Sequence, residues 1–153
     1  MTADELLRTS HPFLEGLSKD HIRILATLAM PVHYSAGDAI FREGDLADRF
    51  YLIHEGAVSL QVGGSREDKI EIQQLHSGDV LGWSWLFEPY AWQYDAMAIA
   101  RTSATFFYGT WLRDLCERDH ALGYEIMKRI AGVVIARLQA TRKSIKKLAL
   151  AED

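Results

Sequence analysis

His54-Glu55-Gly56-Ala57-Val58 opens like the HExxH metal motif. A helical zinc site needs a second histidine one turn on, and position 58 is Val58. The six histidines, at 11, 21, 33, 54, 76 and 120, are scattered along the chain, so no metal site is assigned. Gly82-Trp83-Ser84-Trp85-Leu86 opens like a G-x-S-x-G nucleophile elbow but lacks its second glycine. No histidine and acid can be assigned to Ser84, so no hydrolase is assigned either. A phosphate loop of the G-x-x-x-x-G-K type is absent. What stands out is residues 83–94, WSWLFEPYAWQY, where Trp83, Trp85, Phe87, Tyr90, Trp92 and Tyr94 make half of the segment aromatic. Such rings serve as core fillers, as pocket walls or as a protein-facing surface.

These residues sit in a chain with three zones. Up to about residue 31, Phe13, Leu14, Leu17, Ile22, Leu25 and Leu28 recur at helical spacing. Ser18 is placed to cap a second short helix, and Pro31 marks where a helix has ended. Residues 32–109 read as short strands cut by turns at Gly37, Gly44, Gly56, Gly63-Gly64-Ser65 and Gly78, the spacing of a β-barrel or double-sheet roll. Residues 110–150 are helical: a short helix over Trp111–Glu117, then a long one from Ala121 to about Leu148. Along the latter Met127, Ile130, Val134, Leu138, Thr141 and Ile145 form a continuous apolar seam, which predicts a homodimer through this helix. The rival is a seam packed on the chain's own strands. The same helix carries Lys128, Arg129, Arg137, Arg142, Lys143, Lys146 and Lys147, read first as a solvated face.

The chain has 153 residues, 48% hydrophobic and 25% charged, with a net charge of −4. That is one globular domain, 1–153, with neither a disordered composition nor a uniformly basic surface. Cys116 is the single cysteine, which excludes an internal disulfide framework. The first ten residues lack a signal-peptide pattern, and no run approaches the roughly 20 apolar residues of a membrane span. A cytoplasmic protein is the simplest reading, with DNA binding disfavoured.

Several segments together resemble a cyclic nucleotide-binding domain of the Crp/Fnr-like superfamily. They are Pro12–Ser18, Ala36–Asp45, Phe50–Val58 and His76-Ser77-Gly78-Asp79-Val80-Leu81-Gly82, and the match covers about residues 12 to 145. The resemblance implies an eight-stranded β-roll, mainly β, with N-terminal helices, a cassette helix near 84–87, and B and C helices at the end. It implies a non-enzymatic regulatory or sensor module. The pattern GWSWLF–PY–W–DA looks like small stand-alone bacterial members. Larger relatives add a helix-turn-helix after the C helix, and this sequence ends at Asp153.

The cassette, residues 82–96, departs from that family's pattern. Gly82 matches its glycine and Ala96 its alanine. Trp83 stands where a glutamate would grip the ribose, and Tyr94 where an arginine would hold the cyclic phosphate, with Asp95 next. From Ile70 to Ala100 there is no lysine or arginine to replace it. The expected ligand site is therefore Gly82, Trp83, Ser84, Tyr94, Asp95 and Ala96, with altered or lost specificity. Cyclic nucleotide is disfavoured as a cofactor there, and a neutral, cationic or aromatic small molecule is favoured. An arginine from the C helix would restore the missing charge, but the sequence does not place one. The alternative is a filled pocket in a protein-interaction module, whose aromatic cassette or C helix binds a protein partner.

Overall fold

A computed structural model describes residues 1–64 and 68–151; Ser65 of the fourth glycine turn and Asp153 lie outside the described residues. The N-terminal zone forms α1 (Ala3–Arg8), a 3-10 turn (Pro12–Leu14) and α2 (Lys19–Leu28). Ser18 caps α2, its Oγ accepting the His21 N–H at 3.1 Å. The strands are β1 (Met30–Tyr34), β2 (Ala39–Phe41), β3 (Arg49–Glu55), β4 (Ala57–Val62), β5 (Ile70–His76), β6 (Val80–Leu81), β7 (Asp95–Ala98) and β8 (Thr102–Tyr108). A second 3-10 turn, Ser84–Leu86, follows β6. The helices α3 (Gly109–Arg118) and α4 (His120–Ala151) complete the described chain. The boundaries differ from the sequence expectation by up to three residues, as helix ends and strand ends do.

Two four-stranded antiparallel sheets, in the orders β1-β8-β3-β6 and β2-β7-β4-β5, make the roll. The expectation of a mainly β architecture with flanking helices holds. Strand alternation sorts β3 into two faces. Phe50 meets Phe13 of the N-terminal turn at 5.0 Å and Trp85 at 5.6 Å between ring centroids, so that face is covered by helical segments. Tyr51 on the other face packs on Phe106, whose ring lies 6.2 Å away.

Helix α4 has two halves. Leu122, Ile126 and Ile130 recur every four residues and are buried, so the first half docks on the core. Each such side chain contributes roughly 1.5–3 kcal/mol by burial. Beyond Leu138 the described helix is exposed on every side. The expected seam is divided accordingly. Ile130 is buried in the chain's own core because it continues the Leu122–Ile126 stripe, and it is not free for a partner. Val134 is half-buried, while Met127, Leu138, Thr141 and Ile145 are exposed.

Candidate functional site

The cassette leaves β6 through Gly82, whose φ of +90° only glycine adopts readily. A Cβ there would stand 2.6 Å from the Trp92 ring, so the loop closes on itself at this point. Trp92 stacks on Phe41 with centroids 3.8 Å apart, and its backbone pairs with Asp45 and Gly44. Trp85 is wholly buried beneath the loop, with its indole N–H donating to the Gly82 carbonyl at 3.2 Å. Arg113 of α3 donates to the Trp85 carbonyl and lies over the Tyr90 ring at 4.1 Å. Two of the three cassette tryptophans are therefore core, and they clamp the loop in place.

Trp83 does something else. It is half-buried and lines a cleft of about 410 Å³ with Ser84, Tyr94, Leu60, Gln73 and the α4 residues Val134, Arg137, Leu138 and Thr141. Such a volume lies within the roughly 300–1,000 Å³ of small-ligand sites. The Trp83 and Tyr94 rings meet edge to face, with centroids 6.4 Å apart. The Arg137 guanidinium lies over the Trp83 ring at 4.5 Å and donates from Nη2 to the Val80 carbonyl. Arg137 Nη1 and Tyr94 Oη are both buried and make no well-formed hydrogen bond, but the guanidinium and the phenol lie close enough to interact with each other. Burial pushes the Tyr94 phenol up, and the neighbouring guanidinium opposes that shift. Burial likewise lowers the Arg137 value, opposed by Tyr94 and Asp79.

Of the six residues expected at the ligand, Trp83, Ser84 and Tyr94 line the cleft. Gly82 stands behind them as the turn, and Ala96 is buried in the sheet opposite Phe41 and Leu60. Asp95 is elsewhere. Adjacent strand residues point to opposite faces, so Tyr94 facing the cleft sends Asp95 away from it. There Oδ1 accepts the Glu43 N–H at 2.8 Å, and Lys69 pairs with Oδ2. Asp95 lines a separate groove with Arg42 and Lys69.

This placement reverses the charge expected of the site. The carboxylate that would repel an anion is outside and neutralised, and a guanidinium from α4 is inside. The sequence listed Arg137 only among the solvated cations. Its signal is helical arithmetic: 122, 126, 130, 133 and 137 share one face, so Arg137 extends the buried stripe. Among the described residues no group of three or more His, Cys, Asp or Glu is placed to hold a metal ion. No described helix is long and apolar enough to cross a membrane.

Comparison with known proteins agrees with this geometry. Residues 31–119 match the model of the cyclic nucleotide-binding domain. A cAMP-dependent protein kinase type II regulatory subunit of Drosophila melanogaster is 35% identical over 78 residues, 51% of this chain and 20% of that protein. The chain spans between a tenth and a fifth of the length of the curated relatives it matches. A crystal structure of a putative cyclic nucleotide-binding protein from Geobacter metallireducens is 26% identical, with a TM-score of 0.78 over 90% of this chain and 98% of that one. The regulatory subunit of a cAMP-independent protein kinase A from Trypanosoma brucei shares the fold, with a TM-score of 0.71 and 19% identity over 95% of this chain and 49% of that one. The chain belongs to the cyclic nucleotide-binding domain family, with the Crp/Fnr-like β-roll.

Proposed function

We propose that this member of the cyclic nucleotide-binding domain family is a regulatory module with altered specificity. Its cleft takes an anionic ligand bearing a planar ring, with a cyclic nucleotide as the first candidate. The anion would be held from α4 by Arg137, because the cassette position that would carry an arginine is Tyr94. The observation that carries this reading is the buried pair Arg137 and Tyr94 at one cleft, where guanidinium and phenol meet without a well-formed hydrogen bond and leave donor capacity turned to the cleft. A buried polar pair without a well-formed hydrogen bond leaves donor capacity unmet, and a ligand oxygen between the two groups meets it. Trp83 offers an indole face to a base. Kinase regulatory subunits among the relatives support a signalling role.

Two copies associate through α4 in this reading. Tyr124, Met127, Ala131, Val134, Leu138, Thr141, Ile145 and Leu148 alternate by three and four residues, a heptad seam whose outer part is exposed. An isolated helix of that length is marginal in water, and a second copy covers it. Analytical ultracentrifugation should show a dimer at micromolar concentration.

One observation favours the rival reading of a silent pocket in a protein-interaction module: Arg137 already covers the Trp83 face. Titration decides between them. Tryptophan fluorescence and calorimetry with cAMP, cGMP and inorganic pyrophosphate should give saturable binding of a cyclic nucleotide at micromolar concentration. Silence toward all three at millimolar concentration would refute the anion site and leave the exposed Phe87 and α4 as protein-facing surfaces.

A further inference from the structure

Helix α4 concentrates the positive charge of the chain. Seven of the 17 Lys and Arg residues lie between positions 128 and 147 with no acid among them, while the whole chain is net −4. The remainder is therefore strongly acidic. The seven cations divide in two. Lys128 and Arg129 pair with Glu125, and Arg137 lies over Trp83 and bonds the Val80 carbonyl. Arg142, Lys143, Lys146 and Lys147 are exposed and make no hydrogen bond or ion pair with any described residue. The next acids in the sequence, Glu152 and Asp153, lie outside the described residues.

The helix repeat gathers these four onto one side. Arg142 and Lys146 are one turn apart, as are Lys143 and Lys147, and Lys143 also neighbours Lys146. Like charges at such spacings destabilise a helix, so the stretch lacks the partners that would relieve it. Arg142 borders the apolar seam, and Lys146 lies farther round. Lys143 and Lys147 each stand two residues from Ile145, about 200° around the axis, and so point away from it. The cationic face therefore stays open whether or not a second copy covers Leu138 and Ile145. Lys146 and Lys147 also stand about 14 Å along the helix beyond Arg137. The Debye length at physiological salt is about 8 Å, so their charge is not cancelled by the acidic roll.

We infer that this face of α4 is a docking surface for an acidic protein segment, whose carboxylates meet the Arg142–Lys146 and Lys143–Lys147 rows. Charge complementarity sets the sign of the partner, and the form of the face sets its class. The four cations span about 8 Å of helix, which a short acidic segment covers completely. A nucleic-acid duplex runs on past that span toward the acidic roll, and four cations fall short of the roughly 6–10 phosphate contacts of a firm duplex binder. No aromatic residue lies between 138 and 151 to stack on a base. A helix lying on a membrane buries its apolar side and keeps its cations at the borders of that side. Lys143 and Lys147 would instead face away from the bilayer.

Fluorescence anisotropy on the full chain, with a fluorescein-labelled oligoglutamate peptide, tests this. Wild type should bind the peptide saturably at low salt, with an affinity that falls as salt rises. Lys143→Glu/Lys147→Glu should weaken binding by about tenfold or more, since two exposed attractions become repulsions. Lys19→Glu/Arg101→Glu changes two exposed cations elsewhere and reaches the same net charge, and it should bind as wild type does. Circular dichroism checks that both variants fold. Equal affinities of the two variants, reduced or not, would overturn the inference, because net charge and not this face would then govern binding. Failure of wild type to bind the peptide at millimolar concentration would overturn it as well. Tighter binding to duplex DNA of matched charge, or to phosphatidylserine vesicles, than to the peptide would overturn the partner class. None of these readouts depends on a ligand in the cleft or on dimerisation, so the proposed function is tested separately.

Discussion

Arg137→Met separates a binding arginine from a structural one. Methionine keeps an aliphatic stem in the cleft that Arg137 shares with Val134 and removes the charge. Two contacts are lost from the free protein. The bond from Nη2 to the Val80 carbonyl is charge-assisted and contributes about 1.5–3 kcal/mol, and the stack on Trp83 adds about 1 kcal/mol. Against them stands the desolvation of the guanidinium, which Tyr94 and Asp79 offset only in part. The two sides nearly cancel, so urea denaturation should move by no more than about 1 kcal/mol. Ligand binding has no such offset. A charged hydrogen bond to a ligand oxygen contributes about 1.5–3 kcal/mol, which is roughly a 10- to 100-fold loss of affinity when it is removed. Calorimetric titration of wild type and Arg137→Met with cAMP reads this directly, and Arg137→Lys should recover part of the loss. Equal affinities for wild type and Arg137→Met would refute an anion site at Arg137. A loss of more than about 3 kcal/mol of stability would show the side chain to be a structural brace.

Other positions give independent checks. Asp95→Asn should lower stability by about 1–3 kcal/mol in urea melts, through the lost Lys69 pair, and leave ligand affinity unchanged, since Asp95 faces away from the cleft. Gly82→Ala should cost about 2–4 kcal/mol in the same assay, combining a positive φ with a Cβ driven into the Trp92 ring. His11 needs a neutral ring, because Nδ1 accepts the Phe13 N–H at 3.1 Å while Nε2 donates to the Asp79 carbonyl at 3.0 Å. Burial lowers its value below the ordinary 6.5, so the unfolded chain binds more protons just below that pH, and stability should fall as the pH is lowered through the ordinary histidine range toward the depressed folded value. Thermal melts of His11→Asn, which keeps an acceptor for Phe13, should show a shallower fall, with a residue of the effect left by His54, also held low by burial.

The roll was legible because its punctuation is local. Ser18 capped the helix it was expected to cap, and Gly37, Gly44, Gly56 and Gly78 each fell at positive φ between strands. The cassette's departure from the family pattern was legible for the same reason, since Trp83 and Tyr94 are read off in place. The division of labour among the tryptophans was not. Trp83, Trp85 and Trp92 are one residue type within ten positions, and only the tertiary contacts with Phe50, Phe41 and Arg137 separate core from cleft. Asp95 was misplaced although strand alternation could have turned it from Tyr94, because Lys69, its partner, lies beyond the window in which cations were sought. Arg137 was hidden by the opposite habit: seven cations on one helix read as solvent-facing unless the buried stripe is followed to its end.

Moving the cation from strand to helix changes what binding can do. An arginine at position 94, at the entry to β7, would hold a ligand from a strand hydrogen-bonded on both sides, to β2 and β4, where the contact would not depend on the position of any helix. Arg137 rides on α4, and the Val80 carbonyl already occupies its Nη2. A ligand that takes that donor competes with the tie between α4 and the roll, so its affinity differs between positions of the helix. That difference is the thermodynamic requirement for a ligand to shift a conformation. The same helix reaches the N-terminal turn through Arg129, which donates to the Phe13 carbonyl at 2.7 Å and the Glu15 carbonyl at 2.6 Å. A displacement of α4 of one side-chain contact is therefore felt at Pro12–Gly16 and, in the other direction, along the exposed half of the helix. In the site proposed here, tyrosine in place of the family's phosphate arginine would thus couple the ligand to the element best placed to report on it.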